Sequence, residues 1–224
     1  MTASDVGTTA RARTPDRGRA WLRGVTVAVL VVGVVCQLVQ GTDPAPALTY
    51  YTVDSAILLA ATLIVASARP GWAWVDGARG AATSGVVLSG LVFATVIAPA
   101  TPTGTWIQPH DDAWVRVANV LLHGVGPVLA TADYLVRPQR GRRGTFGTAL
   151  RWCLWPLVYF AVVLPLDLAG QAHVPYPFLD VHEAGWTAVL GAVAGLFVVV
   201  LGLGAALVAL HRRLGRGSPG HPAR

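Results

Sequence analysis

Lysine is absent from this chain, and charged residues of every kind make up only 12% of it. A soluble domain carries roughly twice that fraction, so a surface solvated on all sides by water is excluded. Cysteine is scarce as well. The two present, Cys36 and Cys153, exclude a disulfide-stapled fold. They fall near opposite ends of an alternating chain path, too far apart to bridge, and read as small buried hydrophobes. No nucleotide, haem, flavin or metal motif occurs, and no cofactor is expected. His110, Asp111, Asp112, His173 and His182 lie between apolar stretches without metal-ligand spacing. The net charge of +6 comes from arginine alone. Those arginines sit in short runs between apolar segments, which fits topology signals and not a nucleic-acid-binding face.

What the chain has is apolar length. Hydrophobic residues are 54% of the 224, and the mean hydropathy is +0.55. Six segments, at 21–40, 49–68, 80–100, 115–136, 150–168 and 186–210, approach the roughly 20 apolar residues a spanning helix needs. They are apolar on nearly all faces and lack the period-two alternation of a membrane β-barrel. The expected fold is therefore all-α, an integral membrane bundle of six transmembrane helices over residues 21–210. Polar, Gly/Pro/Arg-rich tails at residues 1–20 and 211–224 flank it. Arg11, Arg13, Arg17, Arg19, Arg23, Arg69, Arg79, Arg137, Arg140, Arg142, Arg143, Arg212, Arg213, Arg216 and Arg224 all flank one side. The connections at 41–48, 101–114 and 169–185 hold no arginine. The positive-inside rule then makes both termini cytoplasmic and places the protein in the cell membrane, in contact with membrane lipids. Trp72, Trp74, Trp106, Trp114 and Trp186 stand near span ends as an interfacial belt. A competing reading, a signal peptide cleaved near Ala45-Pro46-Ala47, requires an unusually long apolar run.

Polar residues inside such segments are costly and point to function. The second segment opens on Tyr50-Tyr51-Thr52-Val53-Asp54-Ser55, and the fourth carries Asn119 and His123, one helical turn apart. Thr52 falls in the first turn of its helix, and His123 lies eight residues into its own, roughly 12 Å deep at 1.5 Å per residue. Both belong to the outer half of the bilayer, where the loop Tyr176–His182 can cap them. The ordinary alternatives are a threonine bonded to a backbone carbonyl and a histidine acting as interhelical glue. Asp54 diverges from Thr52 on a helix, and Asp133 and Asp167 near span ends read as solvated or paired with arginine.

Tyr51-Thr52-Val53-Asp54-Ser55, Leu122-His123 with Pro127 and Asp133-Tyr134, Trp155-Pro156-Leu157-Val158-Tyr159, and Tyr176-Pro177-Phe178-Leu179-Asp180 stand in this order. In that order they resemble the Pr6Pr family of bacterial membrane proteins, itself similar to the androgen-induced-gene (FAR-17a-like) six-span group of animals. The chain differs from the bacterial pattern at Asp54 and Ala56, where Gln and Asn are usual. The animal group includes hydrolases of hydroxy-fatty-acid esters with a threonine nucleophile and a membrane-embedded histidine. The resemblance implies that Thr52 and His123 fill those roles. His123 would activate the Thr52 hydroxyl, which is a poor nucleophile unaided. Asn119 is the expected orienting group for the imidazole, with Asp180 as its rival and Asp54 and Tyr176 in support. Two alternatives remain open. One is a small-solute transporter lined by Asp54, Asn119, His123 and Asp133. The other is a non-catalytic scaffold packed through Gly191, Gly195, Gly202 and Gly204.

Overall fold

The computed structural model describes residues 17–43, 45–69, 72–137, 145–172 and 174–216. Arg11, Arg13, Arg140, Arg142, Arg143, Arg224 and His173 lie outside the described residues. Six helices are long and apolar enough to cross a membrane: α1 Arg17–Val39, α2 Tyr51–Ala68, α3 Trp74–Ala100, α4 Ala113–Val136, α5 Phe146–Leu168 and α6, which runs Val181–Arg216. No strand occurs among the described residues. Four of the apolar segments read from the sequence sit inside these helices, which overshoot them at several ends; the first runs one residue past Val39, and the second starts two residues before Tyr51. Residues 17–20 already belong to α1, and residues 211–216 continue α6 instead of beginning a tail. The chain alternates direction, so the described arginines cluster at the end where α1 begins and α6 finishes. Arg116 is the exception, anchored at the other end to the carbonyls of Asp111 and Pro109.

α2 and α3 pack most closely and form the centre. α3 also touches α4, α5 and α6, while α1 packs on α2 and α4. Leu30, Val53, Leu59, Leu63 and Val86 fill this core. The outward faces carry Val31, Val35, Val128, Leu154, Leu190 and Val198, all exposed. Such a surface is stable against lipid and not against water. α1 is an integral part of the core, with Leu30 fully buried.

Prolines shape the irregularities. A proline has no N–H for the carbonyl four residues earlier, and its ring crowds that carbonyl. Pro127 stands four after His123, and the turn Val120–Val125 widens to a π-helix. Pro99 stands four after Thr95, and Phe93–Ile97 does the same in α3. Pro156 coincides with the interruption of α5 at Cys153. Gly185, at φ 78° and ψ 159°, separates a first turn of α6 from the long helix starting at Trp186, where the sequence placed it. Cys36 and Cys153 are both free and buried.

Candidate functional site

At the end of the bundle opposite the termini, three polar side chains from three helices form one hydrogen-bonded chain. Thr52 Oγ1 lies 2.7 Å from Ser89 Oγ, and Ser89 Oγ lies 3.2 Å from His123 Nδ1. Thr52 and Ser89 are both buried. Membrane threonines usually return their proton to a carbonyl one turn back, and Thr26, Thr62, Thr95 and Thr131 do so here. Thr52 does not. It begins its helix, and the nearby Thr49 carbonyl is taken by the Tyr159 hydroxyl at 2.6 Å.

The π-turn of α4 carries His123, and the π-turn of α3 carries Phe93, whose ring stacks on the imidazole at 3.9 Å and 7°. Trp106 meets Phe93 edge-on at 5.3 Å. π-turns concentrate at functional sites because they re-aim side chains out of helical register. Between them α3 comes so close to α4 that a β-carbon on Gly90 would stand 2.7 Å from the His123 carbonyl oxygen and 2.8 Å from Pro127. Gly90→Ala is therefore expected to push α4 outward, break the Ser89–His123 contact and lower any Thr52-dependent activity by at least tenfold. A side-by-side assay with the neighbouring Leu91→Ala, which faces outward, checks this.

Thr52 and Ser89 open onto an apolar cavity with about 680 Å³ of empty space. Its walls come from Leu157 and Phe160 of α5 and Leu196 and Phe197 of α6, under a cap of Tyr176 and Phe178. α6 packs on α5 through Phe146–Trp152, while the Leu154–Leu168 part of α5 that lines the cavity packs little against α6, which leaves a side of the cavity open between them. The motif residues converge around it: Trp155 Nε1 bonds Ser55 at 2.9 Å, and Tyr51 meets Tyr159 edge-on at 5.1 Å.

The other expected site residues take different places. Asn119 does not orient the imidazole; its amide donates to the Trp106 carbonyl at 3.2 Å and so braces His123 only through Trp106 and Phe93. Asp180 accepts the N–H groups of His182 and Glu183 at 2.7 and 3.3 Å, capping α6. Asp54 is half-buried on α2 and takes no part in the hydroxyl–imidazole chain. Asp167 accepts from the Val174 N–H and ties down the last loop. Asp133 is locked at the opposite end by Arg79, 2.9 Å away, so it shares no path with His123. His110 lies 3.9 Å from its neighbour Asp111. Tyr176 lines the cavity beside Thr52.

The loops at this end are fastened to one another. Tyr50 donates to the Asp43 carboxylate; burial first, then that bond, raises the Tyr50 phenol far above its ordinary value. Asp112 accepts from Gly41 and Val115 at 2.8 and 2.9 Å. Those N–H groups, Gly41 foremost, hold its carboxyl below the usual range.

Ser89 and Phe93 were not singled out from the sequence, and Trp106 was read there only as part of an interfacial belt. No protein-family model, curated protein or solved structure matches the chain. The fold and site define an all-α, six-span membrane protein with a buried hydroxyl–hydroxyl–imidazole chain facing an apolar cavity.

Proposed function

We propose that this protein is an intramembrane hydrolase of amphipathic lipid esters in the cell membrane, of the Pr6Pr type and similar in chemistry to the FAR-17a-like group. The observation that carries the reading is the Thr52–Ser89–His123 chain at the mouth of an apolar cavity. The arginine distribution supports an outer-leaflet site. An acyl chain lies in the cavity, and its ester carbonyl stands at Thr52.

The chemistry follows from the order of the groups. His123 Nδ1, unprotonated with the proton on Nε2, takes the Ser89 proton as Ser89 takes the Thr52 proton. Thr52 Oγ1 bonds to the ester carbon. The tetrahedral intermediate then breaks its bond to the alkoxy oxygen, which leaves as the alcohol with the returned proton. Water, deprotonated by the same chain, attacks the acyl-threonine and releases the fatty acid.

Ser89 is thus a relay whose loss separates nucleophile from base. Ser89→Ala is expected to lower ester turnover by about 10²–10⁴-fold, the usual contribution of general-base catalysis, and to slow fluorophosphonate labelling of Thr52 by a similar factor. The overall test is hydrolysis of fluorogenic acyl esters by purified, folded protein together with labelling by a fluorophosphonate. Neither turnover nor labelling in the wild type would sink the reading.

The scaffold reading has one observation of its own. A β-carbon on Gly191, Gly195 or Gly202 of α6 would meet nothing within 4 Å, whereas one on Gly204 would press on Ala149 and Trp152. Crosslinking in membranes that captures a stable partner through that face, without turnover, would favour it.

A further inference from the structure

The start of α2 holds a second set of donors around Thr52. α2 begins at Tyr51, and its N-cap, Tyr50, supplies no side-chain bond. The first N–H groups of a helix have no acceptor within the helix, and here the first to find one is Asp54, at the Tyr50 carbonyl. The N–H groups of Tyr51 and Thr52 therefore have no acceptor within the helix, at the positive end of its dipole. Tyr176 lines the same cavity as Tyr51 and Thr52, its hydroxyl within the influence of these two N–H groups and of the Thr52 hydroxyl.

Tyr176 is 8% exposed. Its ring is braced edge-on by Tyr50 at 6.2 Å and, at a tilt of 32°, by Phe178 at 5.7 Å. Among the described residues its hydroxyl has no carbonyl or carboxylate to donate to. Burial pushes its pKa up to about 12, against the opposing pull of Thr52 and the two N–H groups. The phenol stays protonated, and so remains a donor, across the neutral range.

Resting on the hydrolase reading, we propose that the Tyr176 hydroxyl and the backbone N–H groups that open α2 form the oxyanion-binding site for acyl transfer at Thr52. When Thr52 Oγ1 bonds to the ester carbon, the C=O π pair moves onto the carbonyl oxygen, which carries a full negative charge on the same carbon as the nucleophile. The donors that stabilise it must converge beside Thr52 on the cavity side, where Tyr176 and the α2 N-terminus already meet. Neutral donors suit this position, because a permanent cation this close to hydrocarbon is costly whereas a phenol and peptide dipoles are not. Aimed donors of this kind lower the barrier most, since their orientation is set before the reaction.

The experiment uses full-length protein in detergent, with active-site concentration fixed by fluorophosphonate titration. Tyr176→Phe keeps the ring and its packing. Its kcat for a p-nitrophenyl acyl ester is expected to fall by about 10²-fold, typical for loss of one oxyanion donor, with KM changed by less than threefold. Inhibition by an alkyl trifluoromethyl ketone, whose threonine adduct carries the oxyanion, should weaken by a similar factor. Binding of the matching unreactive alkyl ether should not, which separates charge stabilisation from cavity shape. Full kcat and inhibitor affinity in Tyr176→Phe, with Thr52→Ala inactive, would overturn the oxyanion assignment and leave the hydrolase reading standing. Undiminished turnover in Thr52→Ala would overturn both.

Discussion

Thr52→Ala and His123→Ala are each expected to abolish fluorophosphonate labelling and to reduce ester turnover by about 10³-fold or more, as loss of a nucleophile or its base does elsewhere. The first removes the oxygen that forms the covalent bond. The second removes the only base at the end of the chain that begins at Thr52, because Ser89 is itself a neutral hydroxyl and cannot hold the proton. Since the groups act as a unit, the double substitution should cost little more than either alone. Thr52→Ser keeps the hydroxyl and should retain labelling. His123→Ala also empties the place where the imidazole stacks on Phe93, so it must be compared with His123→Asn at matched thermal stability. Labelling that persists in well-folded Thr52→Ala would remove the foundation of the proposed chemistry.

The sequence made the scaffold of this site legible for a simple reason. Hydrocarbon demands about 20 apolar residues per crossing, and arginine avoids the connections at one end. The helices outrun those segments because Trp74, Arg17 and Arg212 stand in the interfacial zone, where hydropathy no longer tracks helix length. Thr52 and His123 could be assigned to the same half of the bilayer by counting residues along two helices. The atom between them could not be read. Ser89 lies among Gly85, Gly90 and Ser84, and a small hydroxyl residue in such company looks like a packing surface. Only the approach of three helices gives it two partners.

Asn119 illustrates a different limit. On a regular α-helix, residues four apart share a face, and by that rule Asn119 would reach the imidazole. The π-turn Val120–Val125 intervenes and rotates one residue relative to the other, so Asn119 turns to the Trp106 carbonyl. The cue was present in Pro127, four residues beyond His123, but a proline inside a membrane helix can also kink it or be accommodated by neighbouring groups. Asp180 was drawn toward the site by its loop. Its geometry instead is that of a cap, required because α6 starts immediately after it.

The largest expected effect on stability lies at the opposite end of the bundle. Arg79 is 4% exposed and Asp133 is 2% exposed. The guanidinium reaches both the Asp133 carboxylate, at 2.9 Å, and its backbone carbonyl, at 2.7 Å. Asp133→Ala leaves a buried cation with the carbonyl alone, and breaking a buried pair from one side costs about 3–5 kcal/mol. Arg79 packs over the Tyr134 ring at 5.7 Å and is too enclosed to extend its charge to the interface as a surface arginine does. Arg79→Met should be milder. Asp133 would keep Arg23, whose Nε lies 3.9 Å from Oδ1 and whose side chain is better solvated. The double substitution Arg79→Met with Asp133→Leu removes both charges and should recover most of the loss. Thermal unfolding in detergent tests the set. A melting temperature unchanged in Asp133→Ala would mean that water or lipid headgroups already solvate Arg79, and the pair would then set helix register without holding the bundle together.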